Sequence, residues 1–163
     1  MKFPVLLLCI IALANHILVS AQNTDYLAPS KDAELNQQSA TIPLGALSNM
    51  LIRPWTGLNA TSRGVIEFDL SDYMGCTIHS AKLILRQRST FGVSRTINAH
   101  RITTTWSEAG VTWNAPWTAN GGDYAPAVSG FANPIWTGSL HYDTIDLTSD
   151  VQDFINGTHP NYG

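Results

Sequence analysis

A period of two in the hydrophobic pattern constrains this chain more than any other feature. Apolar and polar residues alternate in short runs, turn residues separate the runs, and almost nothing sustains the 3.6-residue repeat of an amphipathic helix. In Arg63–Leu70, Ile66, Phe68 and Leu70 fall on one face and Arg63, Glu67 and Asp69 on the other. In Ile78–Arg88, Ala81, Leu83 and Leu85 oppose Lys82, Ile84, Arg86 and Arg88. Arg95–Ile102 alternates at Ile97 and Ala99, then shifts phase at Ile102, as at a bulge or a strand end. In Tyr142–Leu147, Tyr142, Thr144 and Asp146 oppose Asp143, Ile145 and Leu147. An edge strand is expected near Asp25–Ala28. Asp72-Tyr73-Met74-Gly75 and Asn120-Gly121-Gly122-Asp123 read as turns, and residues 116–134 as a long surface loop with at most one short strand. One helix is expected, with Thr148 as N-cap, Val151, Phe154 and Ile155 on one face, and Gly157 as the stop. Such a pattern predicts an all-β sandwich or barrel.

Lys2, the apolar run Val5–Leu13 and the small residues Val19-Ser20-Ala21 read as a secretory signal peptide over residues 1–21. The run is too short for a bilayer span, which needs roughly 20 apolar residues. The expectation is a secreted module of residues 22–163, with no membrane attachment after cleavage. That leaves 142 of the 163 residues, enough for one domain with its own core. Lys2 is the only cation in the leader, so eight basic side chains remain against twelve acidic ones. A nucleic-acid binder would need a strongly basic face, and this balance excludes one. Cys76 is the one cysteine left after cleavage, so no internal disulfide is available, and it reads as a small buried apolar residue.

Two segments carry a family resemblance. One is Arg63-Gly-Val-Ile-Glu-Phe-Asp-Leu-Ser71 followed by Ile78-His-Ser-Ala-Lys-Leu-Ile-Leu85; the other is Trp106-Ser-Glu-Ala-Gly-Val-Thr-Trp-Asn-Ala-Pro116. With Asp146-Leu147-Thr148, Gly157 and Asn161-Tyr162-Gly163, they resemble the DNRLRE-domain family, which is similar to carbohydrate-binding modules attached to alginate lyases and to disaggregatase-related proteins. The match runs over about residues 25–163. The spacing after Asn114 is one residue shorter than the commonest family form, and the chain stops where the family continues into a last strand. The resemblance implies a jelly-roll-like antiparallel β-sandwich with one short helix near the C-terminus, here lacking its last strand. It implies no catalytic activity, and a place beside other domains of larger secreted, polysaccharide-active or cell-surface proteins. Its motif residues, Arg63, Phe68, Asp69, Trp106, Glu108, Thr112, Trp113, Asn114 and Asp146, take structural roles. Trp106 and Trp113 read as core and loop anchors, and Glu108 as an acceptor for loop backbone N–H groups.

The residues offer several candidate chemistries. Aromatic rings in loops stack on sugar rings, and Trp55, Trp117, Trp136 and Tyr124 are the platform candidates. Lys82, Arg86 and Arg88 lie at period two on one strand, and an antiparallel hairpin would bring Arg95 and Arg101 alongside. Guanidinium groups in such a strip would pair with uronate carboxylates. A structural calcium would find hard oxygen donors at Asp25, Asp32, Glu34, Asp143, Asp146 and Asp150, although no calcium-loop spacing is present. His79, His100 and His141 have no metal-ligand spacing. Glycoside hydrolysis would need facing carboxylates, with Glu67, Asp69 and Glu108 as the nominees. Asn59-Ala-Thr61 and Asn156-Gly-Thr158 are glycosylation sequons. The leading expectation is a non-catalytic, carbohydrate-binding-type module that docks a parent protein to an extracellular polysaccharide. The alternatives are a stalk or adhesin-like spacer with no sugar site and, last, a small lyase or hydrolase.

Overall fold

Strand pairing follows where each alternating run finds a partner of equal length. The computed structural model describes residues 23–53, 61–88, 95–135 and 141–163. Residues 1–21, read from the sequence as a signal peptide, fall outside the described residues, as do Trp55, Trp136 and Asn59. Among the described residues, six strands form three antiparallel pairs: β1 (Lys31–Asn36) with β2 (Ser62–Glu67), β3 (Lys82–Gln87) with β6 (His141–Asp146), and β4 (Ile97–Ala99) with β5 (Gly130–Ala132). Single bridges join Arg53 to Ser62 and Ile102 to Tyr124. The fold is all-β with one short helix, α1 (Thr148–Ile155), and the described strands do not close into two continuous sheets. Among the described residues, no helix is long and apolar enough to cross a membrane.

The β3–β6 pair obeys the alternation on both strands. Leu83 faces Ile145 and Leu85 faces Asp143 on the inner side; Lys82 faces Asp146 and Arg86 faces Tyr142 on the outer side. Ile145 is almost fully buried, whereas Ile84 is 48% exposed. The hairpin expected to place Arg95 and Arg101 beside this strip does not form. The phase shift after Ala99 leaves only a three-residue strand, which pairs with β5, while the six-residue β3 takes the six-residue β6.

β2 corrects the sequence reading more deeply. Its core face carries Arg63, Val65 and Glu67, opposite Leu35, Ala33 and Lys31 of β1. Val65 is 3% exposed and Ala33 and Leu35 are fully buried, so Ile66, expected in the core, is on the far face. Two charged residues tolerate the inner face because each finds a partner there. Glu67 pairs with Lys31 at 2.7 Å, and Arg63 stacks on aromatic rings. β1 itself lies at Lys31–Asn36 rather than at Asp25–Ala28, since Ala33 and Leu35 supply the apolar alternation the earlier segment lacks.

The main core joins this ribbon to the tryptophan block. Ala33, Leu35, Val65, Ile102, Trp106, Val111, Trp113 and Trp117 are buried together, with Ala40 and Tyr162 packed against them. Segment 161–163 stitches the block to β2: Trp106 Nε1 donates to the Tyr162 carbonyl (2.7 Å), Ile102 N–H to Gly163 (2.6 Å), and Asn161 Nδ2 to Phe68 (2.8 Å).

α1 forms as its pattern predicts, but its start is capped differently. Asp146 Oδ1 accepts both the backbone N–H (3.0 Å) and the hydroxyl (2.7 Å) of Thr148, while the Thr148 hydroxyl accepts the Ala81 N–H. Its end is a Schellman turn: Gly157 N–H bonds Phe154 O, Thr158 N–H bonds Asp153 O, and Gly157 takes φ 71°. Cys76, expected in the core, is exposed, because it sits beyond the Gly75 turn and ahead of β3.

Candidate functional site

Loop 111–126 folds on two polar hubs that the chain itself supplies. Thr112 is buried; its hydroxyl accepts the N–H groups of Asn114 (3.2 Å) and Ala115 (3.0 Å), and its carbonyl accepts Trp117 Nε1 at 2.8 Å. Trp117 is therefore 7% exposed and part of the core, not the platform the loop context suggested. Its pyrrole N–H needs a partner once buried, and Thr112 provides it. The second hub is Asp123. Its carboxylate accepts the N–H groups of Thr118 (2.8 Å) and Ala119 (3.0 Å) and the hydroxyls of Thr118 (2.9 Å) and Thr104 (3.0 Å). The two backbone donors favour the charged form and hold the carboxyl at about 2. This is the loop-fixing role expected of Glu108, whose side chain instead lies against Gly45.

Between the hubs, Gly121 bonds its N–H to the Trp113 carbonyl at 2.6 Å. At φ 89°, with a Cβ position 2.8 Å from the Trp113 ring, only glycine fits. The turn aims its carbonyl at Arg63, whose Nη1 donates to it at 2.7 Å. The same guanidinium lies 5.3 Å from the Trp113 ring centroid and 5.2 Å from that of Tyr124. A core-face arginine on β2 thus reaches through to position a surface tyrosine.

Tyr124 is 41% exposed. It lines an open groove of about 780 Å³ with His100, Thr103, Thr104, Thr118, Asp123 and Pro126. The His100 ring sits 5.0 Å from Tyr124, tilted by 57°. Its Nδ1 lies 3.0 Å from the carbonyl oxygens of both Ala125 and Ala127. Two acceptors require the proton on Nδ1, which leaves Nε2 as an acceptor in the neutral ring. The exposed Thr103 hydroxyl has no partner among the described residues. Tyr124, the Thr103 hydroxyl and the His100 imidazole thus give one groove a mixed aromatic and polar lining.

Among the described residues, the other predicted sites do not assemble. Lys82 faces Asp146, and Arg86 and Arg88 are exposed on or beyond β3. Arg101 turns to Asp150 at 3.6 Å, and Arg95 is exposed ahead of β4. Most of the proposed calcium donors are already engaged: Asp25 with Tyr73, Glu34 with Asn36 and Leu51 N–H, Asp143 with His141, Asp146 with Thr148, Asp150 with Arg101. Among the described residues, no three His, Cys, Asp or Glu side chains converge on a metal position. A second cleft, of about 430 Å³, holds Glu67 and Asp69 beside Phe68, Met74 and Phe154. Glu67 is tied to Lys31, which also lies over Trp106 and bonds its carbonyl. Asp69 accepts the Ser71 N–H at 2.9 Å, which holds its carboxyl below the usual range, opposite to what a general acid needs.

Of the groove, sequence reasoning found Tyr124 and missed His100, Thr103 and Asp123. The run Thr103-Thr104-Thr105 ahead of Trp106 and the Gly-Gly-Asp turn ahead of Tyr124 were the available signals.

An all-β fold presenting an aromatic ring in an open, polar groove fits the class that the family match shows, a carbohydrate-binding module. The chain belongs to carbohydrate-binding module family 96, whose profile matches residues 23–161. No individual curated protein matches the chain.

Proposed function

We propose that this chain is a secreted, non-catalytic module that docks a parent protein to an extracellular polysaccharide through the groove around Tyr124. The observation that carries the reading is the clamp on that ring: Arg63 over one face, His100 beside it, and 41% of the residue still open to solvent. A ring held in place before binding loses little freedom when a sugar stacks on it. The leader at residues 1–21 supports secretion. The likeness of the tryptophan block to DNRLRE domains supports attachment to a larger polysaccharide-active protein. The pinned Glu67 and Asp69 support a non-catalytic role. The groove carboxylate, Asp123, keeps its charge, so neutral sugar rings suit this groove better than uronates.

Affinity electrophoresis of the protein against neutral and uronate polysaccharides tests the reading. Retardation on at least one gel is expected, and Tyr124→Ala should weaken it at least tenfold, about 1.4 kcal/mol. Retardation that survives Tyr124→Ala would move the site elsewhere. No retardation on any gel would favour the spacer reading.

A further inference from the structure

The sequon Asn156-Gly157-Thr158 lies where α1 stops. A chain rich in Asn, Ser and Thr carries sequons by chance, so the pattern alone does not mark an acceptor. The side-chain geometry adds what the pattern lacks. Gln152, one turn before Asn156, is oriented by two backbone partners that have no alternative role. Its Oε1 accepts the N–H of Ile78 at 2.7 Å, and its Nε2 donates to the carbonyl of Cys76 at 3.1 Å. Reversing the amide would set donor against donor and acceptor against acceptor. The same Nε2 donates to Asn156 Oδ1 at 3.0 Å. The orientation of Asn156 follows: Oδ1 faces the helix and Nδ2 faces away, with no partner among the described residues. Asn156, Gly157 and Thr158 are all exposed. Nothing stands within 4 Å of the Cβ position at Gly157, so the space beside the acceptor is open.

We propose that Asn156 is an N-glycosylation site, taking an oligosaccharide from a lipid-pyrophosphate donor. In the transfer, Nδ2 forms a bond to the anomeric carbon and the bond from that carbon to the pyrophosphate oxygen breaks. The lipid pyrophosphate leaves with the electron pair, and the proton lost from Nδ2 passes to a base of the transferase. Thr158 supplies the hydroxyl two residues on that the sequon requires. Asn156 is not among the residues lining the Tyr124 groove, so a glycan here leaves that groove's own residues untouched. The inference rests on the secretory reading of residues 1–21.

The test is expression of the full chain, with its own leader, in a eukaryotic secretory host, followed by peptide mapping of the secreted protein. The peptide containing Asn156 should carry a glycan mass that peptide N-glycosidase removes, leaving aspartate at that position. Asn156→Gln and Thr158→Ala should each abolish it; the second variant keeps the asparagine and its Gln152 contact, in case the first folds poorly. The Asn59 peptide is read separately. Secreted protein with unmodified Asn156 overturns the site while leaving secretion intact. A chain kept inside the cell with its leader uncleaved overturns the secretory reading, and the site with it.

Discussion

Arg63 joins the core to the groove, and replacing it by methionine separates two forces acting on that guanidinium. The variant loses a charge-assisted hydrogen bond to the Gly121 carbonyl, worth roughly 1.5–3 kcal/mol. It also loses the stacking on Trp113 and Tyr124, about 0.5–1 kcal/mol for each ring. The thioether recovers about 0.3–1.5 kcal/mol against the same rings. The net cost is about 1–5 kcal/mol, or a Tm drop of roughly 2–20 °C for a domain of this size. Trp106, Trp113 and Trp117 are buried, so a thermal melt followed by tryptophan fluorescence reads the transition directly. Polysaccharide affinity should fall in parallel, since Tyr124 loses the group held over its face. The opposing force is desolvation. Arg63 has no ion-pair partner among the described residues, and a partly buried charge without one costs free energy. A variant as stable as the parent, or more so, would show that desolvation outweighs the bond and the stacking, and would refute the clamp.

Other perturbations have equally definite outcomes. Leu35→Ala, at a fully buried position, should cost about 2–5 kcal/mol by denaturant titration, while Ile84→Ala on the exposed face of β3 should stay within about 0.5 kcal/mol of the parent. Gly121→Ala places a methyl against Trp113 at φ 89° and should cost roughly 1–3 kcal/mol in the same assay. Asp123 has a carboxyl at about 2 in the folded protein against an ordinary 3.8, so its contribution to stability is present above the ordinary value and lost as pH falls through about 2. Tm measured from pH 5 to pH 2 should therefore decline less steeply in Asp123→Asn than in the parent.

Where both partners of a strand pair alternated cleanly, the sequence was legible: β3, β6 and α1 sit at or near their expected positions, with the expected faces. β2 was misread because the rule that charged residues face solvent fails when the charge is satisfied inside. Arg63 and Glu67 find an aromatic pair and a lysine, and neither partner is adjacent in sequence. Trp117 was misread for a similar reason. Its acceptor, Thr112, is five residues away, but the tight turn that brings them together is not written in any hydrophobic period. The groove was legible only at Tyr124, since His100 and Thr103 meet it through the Ile102–Tyr124 bridge, a contact between distant segments.

Segment 161–163 also has a consequence in time. Its bonds reach back to Phe68, Ile102 and Trp106, across up to 93 residues, and β3 must wait for β6 in the same way. Contacts so far apart in the chain make the topology slow to form. During synthesis, β1, β2 and the tryptophan block emerge long before the residues that complete them. The nascent chain therefore exposes Trp106 and its neighbours until segment 161–163 has cleared the ribosome. Closure is expected only once that segment is available, and the interval before it is when this chain is most exposed to aggregation.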